Sequence, residues 1–331
     1  MRSAFQSKEW PFERGLSYSG FDQTFLFVVA CCAATSQFGP AAVDDRLAQA
    51  VRNALNWIDT VADDDGDGLL EYRRRNPANL LNQTWRDSFD SLVSTGEDIP
   101  PQPVAWLSVQ AYAFRAWQKA AAFYDHLGEQ VVAGDLRTNA AGLASRVAQN
   151  FWIAEEDCPV IALDALTRPI AMISSDAGHA LWSGIVGRDR VRALVQRLMR
   201  PDLLSAYGVR TLSAASPFFA PFSYHRGNIW PFDNAVLVRG LLHYGYRNEA
   251  RRVIERVITA IERIGSPCEL YVALDGGLSV VPSLKDQTLL RRRKGQENEI
   301  QGWTAAGLLY MAAALARLDG KTLAFGAHDR A

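Results

Sequence analysis

Residues 247–264 read RNEARRVIERVITAIERI and show most clearly which fold this sequence adopts. Apolar side chains recur every three or four residues along the stretch, and Arg and Glu occupy the positions between them. This spacing is typical of an amphipathic helix that buries one face. The apolar stripe consists of Ala250, Val253, Ile254, Val257, Ile258, Ile261 and Ile264. The stretch therefore predicts a helix over 247–264.

The same periodicity runs through the rest of the chain and predicts an all-α fold built from helical hairpins. Eight further helices are expected near residues 22–37, 44–62, 103–126, 130–152, 175–184, 188–199, 231–244 and 302–317. Long loops rich in Trp, Asp, Arg and Gly separate the hairpins at 63–100, 153–174, 201–230 and 265–301. Loops of such length in a compact domain are usually functional. We therefore expect one domain over residues 1–331 with its site on the loop side.

Composition and charge exclude several classes of protein. The 331 residues carry a formal net charge of -1, so there is no basic surface for nucleic acid. The longest apolar run, at residues 25–34, is too short to span a bilayer. The four cysteines form no CxxC pair, which argues against zinc and disulfides and favours a reducing cytoplasm. No Gly-rich phosphate loop is present, so no nucleotide or redox cofactor is expected.

The stretch NQTWRDSFD at residues 82–90 mixes carboxylates, a Trp and an Arg where a plain surface loop would use Gly, Ser and Asn. Glycoside hydrolysis needs a carboxylic acid that protonates the leaving oxygen and aromatic surfaces that hold the sugar. The alternative is that Asp87 caps a helix beginning at Ser88, and composition alone favours this alternative.

A second stretch, YHRGNIWPFDN at residues 224–234, leads from an aromatic-rich loop into a helix that begins with Pro231. A helix start with a structural aromatic cluster explains it equally well, and His225 then becomes a core histidine. A third stretch, PCELY at 267–271, offers Glu269 as a base, as do Glu297 and Glu299 further on. The four basic residues at 291–294 favour a solvated, charged loop around Glu297.

An acidic loop at residues 63–68 matches the pattern D-x-D-x-D-G of calcium-binding loops. Asp63, Asp65 and Asp67 occupy the first three ligand positions, but the twelfth position is Arg74 instead of a bidentate Glu. We therefore favour a tight acidic turn and predict no bound metal, with calcium as a weak candidate.

Taken together, these stretches resemble the amylo-α-1,6-glucosidase part of glycogen debranching enzymes and the related mannosylglycerate and glucosylglycerate hydrolases and trehalases. The resemblance covers roughly residues 15–318. In chain order, the segments that carry it are FDQTFLF at 21–27, DGDGLLEY at 65–72, NQTWRDS at 82–88, VQAY at 109–112, YGVRTL at 207–212, YHRGNIWPFDN at 224–234, CELY at 268–271 and QGWT at 301–304. Their shared order makes the assignment specific.

The resemblance implies an (α/α)6 toroid that hydrolyses an α-glucosidic bond with inversion. It makes Asp87 the general acid and Glu269 the general base, whose carboxyl groups should lie about 6.5–9.5 Å apart so that a water fits between them. Burial beside Trp85 would keep Asp87 protonated. The implied sugar-binding residues are Asp22, Tyr72, Trp85, Gln110, Tyr224, His225, Trp230 and Trp303. The implied partner is an α-glucan branch, another oligosaccharide or a small α-glucoside.

Two features depart from the family pattern. Nine helices are predicted, about three short of a ring of six hairpins, so the first helices are expected to be missing and the exposed faces to favour self-association. Cys268 stands where the family pattern has Pro. A degenerate, non-catalytic saccharide-binding toroid is therefore the alternative function. An epimerase on the same toroid would require paired histidines facing the cavity, and only His225 is well placed for that.

Overall fold

The computed structural model describes residues 20–39, 44–77, 79–93, 98–274, 277–280 and 301–321. Across these ranges the chain is helix-rich, with short antiparallel strand pairs in the loops. It divides into two compact units. One comprises the described residues up to 171 together with 183–187, and the other comprises 172–182 and the described residues from 188 onward.

The first unit is built on a central helix. Its four helices are α1 (Gln23–Phe38), α2 (Asp45–Val61), α3 (Leu107–His126) and α4 (Gln130–Asn150). Helix α3 packs against α1 and α4, and α1 packs against α2. Small side chains let the neighbours approach α3 closely, because its buried face includes Ala111, Ala113, Ala116, Ala120 and Ala121. Helix α2 starts at a side-chain cap, in which the Asp44 carboxylate accepts the Leu47 N–H at 2.8 Å.

Two small sheets occupy the loops of the first unit. Strands β1 (Ala105–Trp106), β4 (Ala162–Leu163) and β5 (Pro169–Ile170) form an antiparallel sheet in the order β1-β4-β5. Strands β2 (Trp152–Ile153) and β3 (Cys158–Pro159) form a hairpin. Pairing of β1 with β4 keeps the chain extended to Trp106, so α3 begins at Leu107 and not at residue 103 as the periodicity predicts.

The second unit contains α5 (Asp176–Ser183), α6 (Arg188–Leu198), α7 (Pro231–His243), α8 (Arg247–Ile264) and α9 (Gly302–Leu318). Helix α7 packs against α8 and α9. Helices α7 and α9 approach closely at Gly307, where a Cβ would lie 3.1 Å from the Ala235 Cβ and 3.4 Å from the Phe232 Cα and would push the helices apart by a few tenths of an ångström. Of the predicted stripe of α8, Ala250, Val253, Ile254 and Val257 are buried, and Ile258, Ile261 and Ile264 are half-buried.

Strand pairs also join the loops of the second unit. Strand β6 (Leu204–Ser205) pairs with β7 (Gly208–Val209), and β8 (Tyr271–Leu274) pairs with β9 (Gly277–Val280). An isolated antiparallel bridge joins Ile229 to Tyr271 through N–H···O bonds of 2.8 and 3.0 Å. This bridge places the segment that carries Glu269 beside the start of α7.

The structure confirms all nine predicted helices, with bounds that differ from the predictions by four residues or fewer. The cysteines are free thiols. Among the described helices, none combines the length and the apolar character that a bilayer crossing requires. The prediction of a single domain over residues 1–331 stays a prediction.

Candidate active site

A buried phenol links three segments of the first unit. The hydroxyl oxygen of Tyr72 accepts the backbone N–H of Gln83 at 2.9 Å and the indole N–H of Trp106 at 3.1 Å. Burial, together with the charge of nearby Asp22, raises the pKa of Tyr72 well above its usual range. The phenol therefore stays neutral, and its position is fixed by the two donors. The ring of Phe21 lies 5.4 Å from the Tyr72 ring.

Asp87 lies in an irregular segment whose backbone is held on both sides of it. The Asn82 side chain donates to the Ser88 carbonyl at 2.7 Å, and the Ser91 hydroxyl donates to the Arg86 carbonyl at 2.6 Å. Asp87 itself is half-buried. Residues 88–92 form turns and bends and no helix begins at Ser88, so the capping alternative for Asp87 is wrong.

The side chains before Asp87 form a cation–π pair. The Arg86 guanidinium carbon lies 4.4 Å from the centre of the Trp85 ring, and both residues are buried. This contact shields Trp85 on one face and places a cation in the residue next to Asp87. The sugar-binding role of Trp85 stays a prediction.

The side chain of Gln110 closes the acidic loop onto α3. Its amide oxygen accepts the Leu70 N–H at 2.9 Å, and its amide nitrogen donates to the Leu70 carbonyl at 2.6 Å and to the Trp106 carbonyl at 3.1 Å. Gln110 is fully buried, so these bonds replace water for a buried peptide group. The family resemblance implies a sugar contact for Gln110, and this role stays a prediction. In the structure the Gln110 side chain clamps the backbone of Leu70 and Trp106.

The three aspartates of the acidic loop converge with a fourth carboxylate. The side-chain oxygens of Asp63, Asp65, Asp67 and Glu71 all lie within 4.8 Å of one another. Glu71 is buried and accepts the backbone N–H groups of Asp64 and Asp65 at 3.0 and 3.1 Å. Burial and the charges of Asp65 and Asp67 raise the pKa of Glu71 to about 8. The sequence pattern does not point to Glu71, because the residue lies at a position that calcium loops often fill with water.

In the second unit, Glu269 is a buried carboxylate held by an amide. Only 3% of its surface is exposed, and the Gln301 side-chain nitrogen donates to its Oε1 at 3.0 Å. Neighbouring Cys268 is also buried, and desolvation together with the charge of Glu269 raises the pKa of its thiol to about 11. The thiol is therefore neutral at physiological pH.

Five aromatic rings cluster around the start of α7. His225 stacks on Trp230 at 5.0 Å and 10°, and Tyr224 meets both of these rings edge-on. Trp303 stacks on Phe232 at 4.3 Å and 5°, and its ring lies 6.0 Å from Trp230. Trp303 is 41% exposed. The cluster thus combines buried support with an open aromatic face, and such a face is suited to the apolar side of a sugar ring.

Two links join Glu269 to this cluster. Gln301, which donates to Glu269, lies two residues before Trp303 at the start of α9. The bridge between Ile229 and Tyr271 joins the residue two positions before α7 to the residue two positions after Glu269. The carboxylate and the aromatic rings are therefore parts of one arrangement within the second unit.

Buried polar side chains that the sequence reasoning missed fix the start of α7. The Asn234 amide exchanges bonds of 2.7 and 3.0 Å with Val209, and the Asn228 oxygen accepts the Trp230 indole N–H at 3.1 Å. Asp233 and His179, both fully buried, are bonded at 2.8 Å. Most of these partners lie far apart along the chain, and local spacing does not reveal them.

The predicted site residues fall into two groups. Asp22, Tyr72, Trp85, Asp87 and Gln110 lie in the first unit. The second unit contains Tyr224, His225, Trp230, Glu269 and Trp303. Within each unit the structure brings the aromatic residues into contact with one another or with the polar groups described above. Glu297 and Glu299 lie outside the described residues.

Comparison with known proteins gives a consistent assignment. The family model of the mannosylglycerate hydrolase MGH1-like glycoside hydrolase domain matches residues 3–279. The mannosylglycerate hydrolase MGH2 of Selaginella moellendorffii is 31% identical over 114 residues, which are 34% of this chain and 23% of that protein. The mannosylglycerate hydrolase of Thermus thermophilus is 31% identical over 108 residues, 33% of this chain and 26% of that protein. The matched stretches thus span about a quarter of each relative's length.

Among solved structures, the GH63 mannosylglycerate hydrolase of Thermus thermophilus in complex with Tris superposes with a TM-score of 0.50. The two chains are 22% identical, and the match covers 63% of this chain and 45% of the other. This likeness concerns the fold, and it confirms the predicted (α/α)6 class.

Proposed function

This chain belongs to the mannosylglycerate hydrolase MGH1-like family of glycoside hydrolases, and we propose that it hydrolyses an α-glycosidic bond with inversion of configuration. The observation that carries the proposal is the carboxylate of Glu269, which is 3% exposed and bonded to Gln301, the N-cap of the helix that carries Trp303 of the aromatic cluster. A buried carboxylate beside aromatic rings has the chemistry that activation of a water against a sugar requires.

In the proposed reaction Glu269 takes a proton from water as the water oxygen bonds to the anomeric carbon. The bond from that carbon to the glycosidic oxygen breaks at the same time, and Asp87 gives its proton to the departing oxygen. The two bonds that flank Asp87, from Asn82 and Ser91, support this role because they fix the backbone from which the acid projects. The products are a free sugar of inverted configuration and an alcohol.

For the substrate, we propose a small α-glycoside of an organic acid in preference to a branched α-glucan. The two sequence relatives described above, from Selaginella moellendorffii and Thermus thermophilus, are both named mannosylglycerate hydrolases. The residues that the family resemblance assigns to sugar binding, and that we propose for this role, are Asp22, Tyr72, Trp85, Gln110, Tyr224, His225, Trp230 and Trp303. An intracellular location, one catalytic domain and self-association are further parts of this proposal.

The experiment is a screen of α-glucosides and α-mannosides, including glycerate derivatives, with the wild type and two carboxylate variants. Asp87→Asn should lower turnover of natural substrates by ~10²–10⁴-fold, because general acid catalysis is lost. The α-glycosyl fluoride needs little protonation of its leaving group, so Asp87→Asn should affect it far less. Glu269→Gln should abolish turnover of both substrates, since each requires an activated water.

Asp90→Asn is the matched control for the acid, because Asp90 is half-buried in the same segment. Binding of a glycoside without turnover by the wild type would favour the saccharide-binding alternative. Equal losses in Asp87→Asn and Asp90→Asn would overturn the assignment of the acid.

A further inference from the structure

Gln301 connects the proposed base to a helix terminus through three bonds. Its side-chain nitrogen donates to Glu269 Oε1 at 3.0 Å, and its side-chain oxygen accepts the Gly302 N–H at 2.9 Å as the N-cap of α9. Its backbone N–H donates to the Pro267 carbonyl at 3.1 Å. Both ends of the amide are therefore engaged, and the residue is tied to the chain on each side of Cys268.

We propose that Gln301 is a positioning residue that holds the Glu269 carboxylate in the orientation needed to take a proton from water. This inference rests on the proposed function, because it assigns Gln301 a role only if Glu269 is the base. A carboxylate on a flexible side chain loses efficiency as a base when it rotates away from its water. The bond from Gln301, which is partly buried, restricts that rotation, and it strengthens when the base is ionised.

The same bond couples the base to the aromatic platform. Gln301 caps the helix whose second residue is Trp303, and Trp303 lies 6.0 Å from Trp230. The carboxylate and the exposed ring are therefore fixed to one helix start.

The neighbouring titratable groups leave this bond undisturbed at neutral pH. Burial raises the pKa of Cys268 to about 11 and that of Tyr271 well above its ordinary value. Both side chains are therefore uncharged over the range in which a glycosidase is assayed.

The test uses substitutions at Gln301 that separate the cap from the contact with the base. Gln301→Ser removes the amide donor and supplies a side chain that is favoured at an N-cap, so α9 should keep its start. Gln301→Glu keeps an oxygen for the Gly302 N–H but sets a second carboxylate against Glu269. Gln196→Ser, at an exposed position of α6, is the matched control. The measurements are the pH dependence of kcat/KM, the separate values of kcat and KM, and Tm.

We expect Gln301→Ser to move the acid limb of kcat/KM upward by about one to two pH units, because a hydrogen bond that favours the charged form is lost. The value of kcat should fall while KM and Tm change little. Gln301→Glu should shift the same limb further upward. A wild-type acid limb in both Gln301 variants would overturn the proposal, as would a loss of Tm alone.

Glu269→Gln, measured beside these variants, separates the two possible failures. If Glu269→Gln is inactive and both Gln301 variants keep the wild-type pH profile, the positioning role is wrong and the proposed function stands. If Glu269→Gln keeps its turnover, Glu269 is not the base and both proposals fall.

Discussion

The clamp made by Gln110 gives a prediction that separates a structural role from sugar binding. Gln110→Leu keeps the side-chain volume but removes both bonds to the buried Leu70 peptide groups, which are 2.9 and 2.6 Å long. Leu70 is 4% exposed, so its N–H and carbonyl are left without water. Each buried group that loses its partner costs about 1–3 kcal/mol. The two together predict a loss of about 2–6 kcal/mol in the free energy of unfolding.

For a chain of this size roughly 2 °C of Tm corresponds to 1 kcal/mol, so Gln110→Leu should melt roughly 4–12 °C below the wild type. The assay is thermal unfolding followed by circular dichroism, with kcat and KM measured well below the transition. Gln149→Leu on the exposed face of α4 is the control and should leave Tm unchanged. An unchanged Tm in Gln110→Leu with KM raised about tenfold or more would refute the clamp and show that the amide binds sugar.

Four further outcomes are expected. Glu71→Gln keeps the side-chain oxygen that accepts the N–H groups of Asp64 and Asp65, and it should raise Tm at pH 9 but not at pH 4. The reason is that folding raises the pKa of Glu71 from 4.5 to about 8, so its carboxyl group lowers the stability of the folded state progressively as the pH rises through that interval. Chelator should leave Tm unchanged, and a rise in Tm with millimolar calcium that Glu71→Gln abolishes would show a cation site instead. Trp303→Ala should raise KM about tenfold with little change in Tm, because the stacked ring is 41% exposed; an unchanged KM would remove Trp303 from the sugar platform. Exposed apolar side chains such as Phe38 (69%) and Val61 (41%) predict concentration-dependent association in sedimentation, and a monomer melting above about 65 °C would count against it.

Most of the helices could be predicted from sequence because apolar residues recur along them with the period of a helix. Val253, Ile254 and Val257 show this for α8, where the periodicity alone places the buried face. The two-residue strands could not be predicted, since a pair such as Trp152–Ile153 is too short to show alternation and forms only by pairing with Cys158–Pro159. The predicted start of α3 at residue 103 is four residues too early for the same reason, because the short strand Ala105–Trp106 forms only by pairing with Ala162–Leu163.

A residue of the candidate site could be predicted only where the short segment around it is distinctive. Asp87 and Glu269 stand in distinctive short segments, and these segments carry the resemblance to the family. The roles of Gln110 and Gln301 depend on hydrogen-bond partners 40 and 32 positions away in the chain, and the residues next to them in sequence do not indicate these bonds. Glu71 joins the acidic cluster for a similar reason, because the fold of the loop turns it back toward the aspartates.

The most direct test of the central claim is the configuration of the first product. A natural-type α-glycoside is hydrolysed by the wild type in an NMR tube, and the anomeric protons are followed from the first minute, before mutarotation mixes the forms. The proposed roles of Asp87 and Glu269 predict that the β-anomer appears first and that Glu269→Gln produces neither anomer. First appearance of the α-anomer, or β-product formation by Glu269→Gln at the wild-type rate, would contradict the mechanism.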